Sequence, residues 1–236
     1  MKIISIFSLF IIMVVLLSCT GKEMREHLKS FESKDEIVIL IFGDEISYGG
    51  ISEETTSWGN YLKPMLSELF HKKISLINSS IPGENYSVAY RRIQEDILSY
   101  RPDIVFVMLG MQDMLTAGSL LSSFKTNVYR FYAELKESGT FVIIMPSPGF
   151  NDVVSRDDPR MKIVHEFNRI LLDASQIYSY PFFDIANNME NVMLADNKKY
   201  KSFFRDFYLL SNAGNKYVAD FIYKKISSKV PVNDDN

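Results

Sequence analysis

The sequence predicts an α/β protein in which a central five-stranded parallel sheet is covered by helices on both faces, a three-layer α/β/α sandwich. Apolar, β-rich runs alternate along the chain with segments that carry apolar residues at helical spacing. The run at 102–110, PDIVFVMLG, is apolar throughout residues 104–109, as expected of a strand buried on both faces. The composition, 47% hydrophobic and 23% charged, is typical of a folded domain with a well-filled core.

The β-rich runs give the order of the strands. The first run, EIVILIF, is dominated by β-branched residues and is followed by a glycine and two acids. The last run, YPFFDI, is short. The five strands are expected at 36–42, 73–80, 102–110, 140–148 and 180–185.

Amphipathic segments lie between these runs and after the last one. In the first of them, Trp58, Leu62 and Leu69 recur at the spacing of one helix face. Gly139 is a typical residue for the end of a helix, and Ser211 is a typical residue for the start of one. The five helices are expected at 56–70, 85–100, 120–138, 158–178 and 211–230.

The amino-terminal residues have the features of a secretion signal. Lys2 precedes an unbroken apolar run, residues 3–17, that has the length of a signal-peptide hydrophobic region. The run is short for a membrane span, which needs about 20 residues. It ends in LLSC, where Cys19 is the only cysteine of the chain, and this ending resembles the lipobox of bacterial lipoproteins. The resemblance implies cleavage before Cys19 and acylation of its sulfur and amine; an uncleaved anchor helix with an incidental cysteine is the alternative.

These features divide the chain into four parts. The polar, charged stretch after Cys19 has no apolar run and is interpreted as a lipid-anchored tether. Several acyl chains hold a protein on a membrane better than one. The expected location is the extracytoplasmic side of a bacterial envelope membrane. The parts are the signal peptide at 1–18, the tether at 19–36, the folded domain at 37–230 and a disordered tail at 231–236.

The functional site is expected at the carboxyl ends of the strands, where parallel α/β sheets bind their ligands. Five segments leave this edge of the predicted sheet or lead into the last helix. One of them is PSPGFND at 146–152. The other four are GDEIS at 43–47, NSSIPGENY at 78–86, LGMQDM at 109–114 and RDFYLLSNAG at 205–214.

Taken in order, these segments resemble the blocks of the SGNH hydrolases, the GDSL-type esterases and lipases. The resemblance covers nearly the whole domain and implies the flavodoxin-like SGNH hydrolase fold. The matching positions are Gly43-Asp44-Glu45, Gly83, Gly110-Met111-Gln112-Asp113, and Asp206 followed by Ser211 and Gly214.

The resemblance also predicts where the family chemistry fails. In that family a serine attacks an acyl carbon, a histidine takes its proton and an aspartate orients the histidine. In this chain the serine position holds Glu45, the histidine position holds Leu209, and Gln112 stands for the oxyanion-hole asparagine. Of the remaining family positions, Asp206 and Gly83 match. Loss of the nucleophile or of the base costs about a millionfold in rate, so the sequence predicts a membrane-anchored binding module without ordinary esterase activity.

Two other functions stay open. The carboxylates of Glu45 and Asp206 are expected to face each other, and such a pair can support acid/base catalysis or hold a metal ion. The chain would then be an active hydrolase or acyl transferase on envelope lipids or glycans. The aromatic-rich segment at 198–208 is a candidate interaction surface that does not involve the cleft.

Charge and composition bear on the partners. The formal net charge of −3 gives no electrostatic basis for nucleic-acid binding. Besides the membrane, the expected ligand of the cleft is an envelope glycan or lipid, a class that rests on analogy with the fold. No cofactor and no resident metal ion are expected.

Overall fold

The computed structural model describes residues 21–49, 56–116 and 121–230. The predicted signal peptide, Cys19 and the predicted tail at 231–236 lie outside the described residues. Among the helices within the described ranges, none is both long and apolar enough to cross a membrane.

The described strands form one parallel sheet in the order β2-β1-β3-β4. Every residue of β3 and of β4 is buried. This confirms the predicted α/β class and the first four strands. The strands are β1 (Glu36–Gly43), β2 (Lys73–Asn78), β3 (Ile104–Met108) and β4 (Val142–Met145).

Helices cover the sheet, and short 3-10 turns occur at Ser30–Ser33, Tyr90–Arg92 and Leu98–Tyr100. The first helix, α1, comprises residues 21–29. The others are α2 (Glu45–Tyr48), α3 (Trp58–Phe70), α4 (Tyr86–Ala89), α5 (Ile93–Asp96), α6 (Met111–Leu115), α7 (Leu121–Glu137), α8 (Pro159–Ile177), α9 (Ile185–Ala195), α10 (Asn197–Ser202) and α11 (Asn212–Ser227).

The two faces of the sheet bury different helices because alternate strand residues point to opposite sides. Phe106 of β3 packs edge-to-face on Trp58 of α3, with ring centroids 5.8 Å apart. Phe42 of β1 contacts Phe131 of α7, with centroids 5.5 Å apart. The helices α3 and α11 therefore lie together on one face, and α7 and α8 lie together on the other.

The predicted fifth strand is wrong as a strand. The segment at 180–185 forms one parallel bridge, between Phe182 and Ile144 of β4. Its two hydrogen bonds run from Ile144 N–H to the Pro181 carbonyl and from Phe183 N–H to the Ile144 carbonyl, both at 2.9 Å. Pairing goes no further because proline has no N–H to donate and because Asp184 already caps α9, accepting from Asn187 N–H at 3.0 Å.

The predicted tether at 19–36 is also corrected over its described residues. Residues 21–29 form α1, and three apolar side chains of this region, Met24, Leu28 and Phe31, are almost fully buried in the core. Their spacing, i, i+4 and i+7, is that of one helix face. The polar residues between them made the segment look like a linker. Its apolar face is therefore part of the folded domain.

The single helix predicted at 85–100 is a chain of short helical turns. The backbone leaves the helical region at Arg92 and at Ile97. The Arg92 guanidinium lies over the Phe42 ring, 4.0 Å from its centroid. It donates to the Ser79 carbonyl at 2.7 Å and to the Glu84 carboxylate. The helices α2, α6, α9 and α10 lie outside all five predicted helices.

Candidate functional site

Glu45 lies where the sequence places it, immediately beyond the carboxyl end of β1. Gly43 is required there because a Cβ atom would collide with the Met108 carbonyl of the neighbouring strand. Asp44 then caps α2, accepting a hydrogen bond from Ile46 N–H at 3.1 Å. Glu45 is the first residue of α2 and is only 9% exposed.

The Glu45 carboxylate binds the two groups that the family resemblance assigns to the oxyanion hole. Its Oε2 accepts from Gly83 N–H at 2.8 Å, and its Oε1 accepts from the Gln112 side-chain amide at 2.7 Å. In the family these donors stabilise the negative oxygen of a reaction intermediate. Here a side chain of the protein supplies the negative oxygens.

Each donor is held in place by its own loop. Gly83 has φ +79°, a left-handed backbone that favours glycine. The loop before it is tied to β1, since Ile81 N–H donates to the Gly43 carbonyl at 2.9 Å. Gln112 lies in the first turn of α6, which starts after Gly110. The site is therefore built from three strand ends, as the sequence predicted.

Asp44 connects the first and third of these strand ends. It is fully buried, and its Oδ2 accepts from Gly110 N–H at 3.2 Å and from Met111 N–H at 3.0 Å. Burial, followed by the nearby Glu45 carboxylate, raises the pKa of Asp44 to about 8. Asp44 is therefore a like-charge neighbour of Glu45. The sequence had suggested Asp206 for this position.

Asp113 has a related structural role in the third block, Gly110-Met111-Gln112-Asp113. Its Oδ2 accepts from Tyr86 N–H at 3.2 Å, which joins α6 to the start of α4. Burial raises the pKa of Asp113 to about 6, against the opposing effect of that N–H donor.

Asp206 is oriented by its own turn. Its Oδ1 accepts from Tyr208 N–H at 3.2 Å and from Leu209 N–H at 2.9 Å, and its Oδ2 lies 3.7 Å from Arg205 Nε. Nearly half of its side chain is exposed. Glu45 and Asp206 thus each accept hydrogen bonds from a separate set of donors.

Leu209 lies beside Glu45, as the alignment of the blocks predicts. Both residues line a small cavity with an empty volume of about 170 Å³, which Arg205 and Asn215 also line. A leucine side chain accepts no proton, so this position provides no general base.

The three histidines of the chain are all described, and each has a different role elsewhere. His27 Nε2 lies 2.7 Å from the Asp103 carbonyl, at the amino end of β3. His71 ends α3 in a left-handed conformation. His165 Nε2 lies 3.0 Å from the Glu190 carboxylate. Ser47, the serine nearest to Glu45 in sequence, is buried and donates to the Met108 carbonyl at 3.3 Å.

Tyr208 is a site residue that the sequence analysis missed. Burial, followed by the charge and the hydrogen bond of the Glu45 carboxylate, raises the pKa of Tyr208 to about 12. Its side chain therefore lies near the Glu45 carboxylate. The only sequence signal was its position, two residues after Asp206 in a block of the family.

The carboxylates of the site do not cluster as metal ligands do. Within the described ranges, no group of three or more His, Cys, Asp or Glu side chains is arranged to hold a metal ion. The segment at 198–208, the candidate surface of the sequence analysis, directs Tyr200, Phe203 and Phe204 into the core and leaves Phe207 41% exposed.

Comparison with known proteins agrees with this geometry. The model of the GDSL-like lipase/acylhydrolase family matches residues 41–217, three quarters of the chain. The chain belongs to this family. An arylesterase of Vibrio mimicus is 28% identical over 107 residues, which are 45% of this chain and 52% of the relative. The chain therefore matches about half the length of this curated relative.

Solved structures show the same fold. The acetylxylan esterase Axe2 of Geobacillus stearothermophilus superposes with a TM-score of 0.69 at 18% identity, covering 84% of this chain and 97% of that one. A lipase/acylhydrolase of Enterococcus faecalis gives a TM-score of 0.67 at 19% identity, covering 83% and 97%. These similarities confirm the predicted fold of the GDSL-family domain.

Proposed function

We propose that this GDSL-family protein lacks the serine-esterase reaction and acts as a binding module anchored to a bacterial envelope membrane. One observation carries the proposal: the Glu45 carboxylate accepts hydrogen bonds from Gly83 N–H and from the Gln112 amide. An ester carbonyl that entered the cleft would have to displace a charged acceptor from these donors. Hydrogen bonds to charged groups are about twice as strong as those between neutral groups.

The other requirements of the reaction are also unmet. A serine nucleophile is replaced by Glu45, and the position of the base is occupied by Leu209. Ser47 points to the Met108 carbonyl, and His165 is bound to Glu190. The alternative reaction through Glu45 and Asp206 has less support, because each carboxylate binds its own set of donors.

Support for a binding role comes from the rim of the cleft. Tyr48, in the helix that begins with Glu45, is 47% exposed, and Phe207, next to Tyr208, is 41% exposed. Exposed rings beside polar groups suit a glycan or the acyl chain of a lipid, since they combine apolar area with nearby hydrogen-bonding partners. The membrane anchor rests on the LLSC sequence at Cys19.

The reaction is tested with p-nitrophenyl acetate and butyrate. The parent is expected to show no hydrolysis above background. The double variant Glu45→Ser, Leu209→His frees the donors and restores a nucleophile and a base, and is expected to gain activity; base catalysis alone contributes about 10²-fold or more. Each single variant serves as a control. Turnover by the parent that disappears in Glu45→Ala or Asp206→Ala would establish a carboxylate-based enzyme instead.

Binding is tested by the melting temperature of the protein in the presence of short acylated oligosaccharides and phospholipids. A ligand of the cleft raises the melting temperature because it binds the folded state alone. Tyr48→Ala with Phe207→Ala is expected to abolish the rise. Tyr100→Ala is the matched control, because Tyr100 is equally exposed, at 47%, but precedes β3 at the opposite edge of the sheet. An equal loss in the control would show that the ligand binds elsewhere.

A further inference from the structure

A second concave surface lies at the other end of the molecule from Glu45. It is a groove with an empty volume of about 1120 Å³ between α1 and the carboxyl-terminal ends of α8 and α11. Its wall is mainly apolar and includes Met24, Leu172 and Phe182. Two cations, Lys225 and Lys229, line the same groove, and a single acid, Asp184, accompanies them.

Several contacts place the groove at the amino-terminal edge of the sheet. His27 of α1 stacks on Phe141, the residue before β4, with ring centroids 3.9 Å apart. It also contacts the carbonyl of Asp103, the residue before β3. The helix α11 starts beside the Glu45 cavity, which Asn215 lines, and its last turn carries Lys225 to the groove. The eight residues of β1 separate the two edges by about 25 Å.

The proposed anchor is attached directly at this groove. Gly21, the first residue of α1, is part of the groove wall, and a Cβ atom there would lie 3.7 Å from Lys229 Nζ. Only Thr20 separates Gly21 from Cys19 in the sequence. Two residues of chain span at most about 7 Å, so acyl chains on Cys19 begin within that distance of the groove. Because the apolar face of α1 packs on the core, no long linker intervenes between Cys19 and the folded domain.

The charges of the groove match a phospholipid. Neither Lys225 nor Lys229 forms an ion pair with any residue in the described part of the chain. Lysine ammonium groups bind phosphate, and basic groups beside an anchor are attracted to anionic lipid headgroups. The exposed side chain of Ile177, at the end of α8, adds apolar surface at this edge.

We propose that this groove seats a phospholipid of the anchoring membrane, with the lipid phosphate at Lys225 and Lys229 and an acyl chain along the apolar wall. The amino-terminal edge of the sheet then faces the bilayer, and the Glu45 cleft faces away from it. The inference rests on the proposed lipidation of Cys19. It adds a fixed orientation, in which the cleft is held about 25 Å from the membrane surface and is open to ligands beyond it.

The experiment uses the full acylated chain in vesicles of phosphatidylethanolamine and phosphatidylglycerol. Acylation consumes the thiol of Cys19, so an introduced cysteine is the only one that reacts with a maleimide fluorophore. One reporter is Ser228→Cys, next to Lys229, and the other is Ile81→Cys, next to the Glu45 cleft; both residues are exposed. Lipids with a nitroxide on the headgroup should quench the fluorophore at 228 strongly and the one at 81 little. Equal quenching, or stronger quenching at 81, overturns the proposed orientation.

The role of the lysines is tested in the 228 reporter with Lys225→Gln and Lys229→Gln together. Losing the attraction of two lysines for an anionic surface is expected to lower the ratio of docked to undocked protein about 30-fold. Quenching at 228 should fall accordingly. Lys198→Gln with Lys199→Gln, an equal charge change on exposed residues of α10, should leave it unchanged. Equal effects of the two pairs overturn the assignment of the phosphate to this groove.

A failed anchor gives a different result from a failed orientation. If Cys19 is not acylated, the parent without an added cysteine reacts with the maleimide and does not float with vesicles. That outcome overturns the anchoring and the inference that rests on it. If the parent thiol is blocked and the protein floats, but both reporters are quenched equally, the anchoring stands and the orientation alone is wrong.

Discussion

Glu45 determines what the cleft offers to a ligand at the scale of single residues. Its carboxylate accepts from a backbone N–H and a side-chain amide, so the two donors at the oxyanion-hole positions are already bound. A ligand therefore meets the exposed rim and not a free oxyanion hole. The substitution of serine by glutamate changes the cleft in two ways, because it removes a nucleophile and adds an internal acceptor.

Removing this acceptor should destabilise the protein. Glu45→Ala leaves Gly83 N–H and the Gln112 amide without their partner in a mostly buried place, which is expected to cost about 1–3 kcal/mol of unfolding free energy. Glu45→Gln should cost much less, because its amide oxygen still accepts from Gly83 and the Gln112 amide can flip to pair with it. Urea unfolding of the two variants measures the difference. Equal losses would mean that the hydrogen bonds of Glu45 contribute little.

The raised pKa of Asp113 predicts that the free energy of unfolding depends on pH. Its pKa is raised to about 6 from an ordinary 3.8, so folding favours the protonated form. Its contribution is fully present below the unfolded pKa and is lost as the pH rises through about 6. Relative to Asp113→Asn, whose amide oxygen can still accept from Tyr86 N–H, the parent should lose about 3 kcal/mol of unfolding free energy between about pH 3.5 and 7. Parallel pH curves for the two proteins would contradict this.

At the scale of elements, α1 is the part whose role changes most between sequence and structure. A tether would leave its apolar side chains in water, whereas Met24, Leu28 and Phe31 belong to the central core. This packing holds the chain that leads to Cys19 against the domain. The orientation proposed for the membrane depends on it.

The packing of α1 is tested with Leu28→Ala. Leu28 is 3% exposed, and loss of a buried leucine side chain is expected to cost about 2–4 kcal/mol of unfolding free energy. Lys29→Ala, at the next and exposed position, is the control and should change stability by less than about 0.5 kcal/mol. If the two variants unfold at the same urea concentration, α1 is not part of the cooperative core.

At the scale of the whole molecule, the described residues share one continuous core that includes both helix layers and α1. Trp58, the only tryptophan of the chain, is fully buried in it. Its backbone N–H donates to Asn215 Oδ1 in the last helix at 3.1 Å. The start of α3 is therefore joined to the start of α11.

A single core predicts a single unfolding transition. Trp58 fluorescence reports on the packing of α3 against the sheet, and far-UV circular dichroism reports on all helices. The two signals should give the same midpoint in urea, because one cooperative unit unfolds as a whole. Two separate midpoints would show that part of the helix layers unfolds independently of the sheet.

The order of strands and helices was predictable because it depends on local patterns. Apolar runs and helical spacing are visible in the sequence, and the loop positions of Glu45, Gly83 and Gln112 follow once the strand ends are known. The same patterns gave a fifth strand and a tether. A strand needs a partner over several residues, which β4 provides only at Phe182. A sparse apolar face, as in α1, is recognised only when the surface that buries it is known.

The sequence by itself determined the α/β class, the family blocks and the loss of serine and histidine from the reacting positions. The tertiary structure alone decided where the Glu45 side chain points. Sequence reasoning paired it with Asp206 because both belong to converging loops. The structure shows its carboxylate accepting from Gly83 N–H and from the Gln112 amide. A buried carboxylate is most stable where several donors surround it, and which donors those are depends on how three distant loops are brought together.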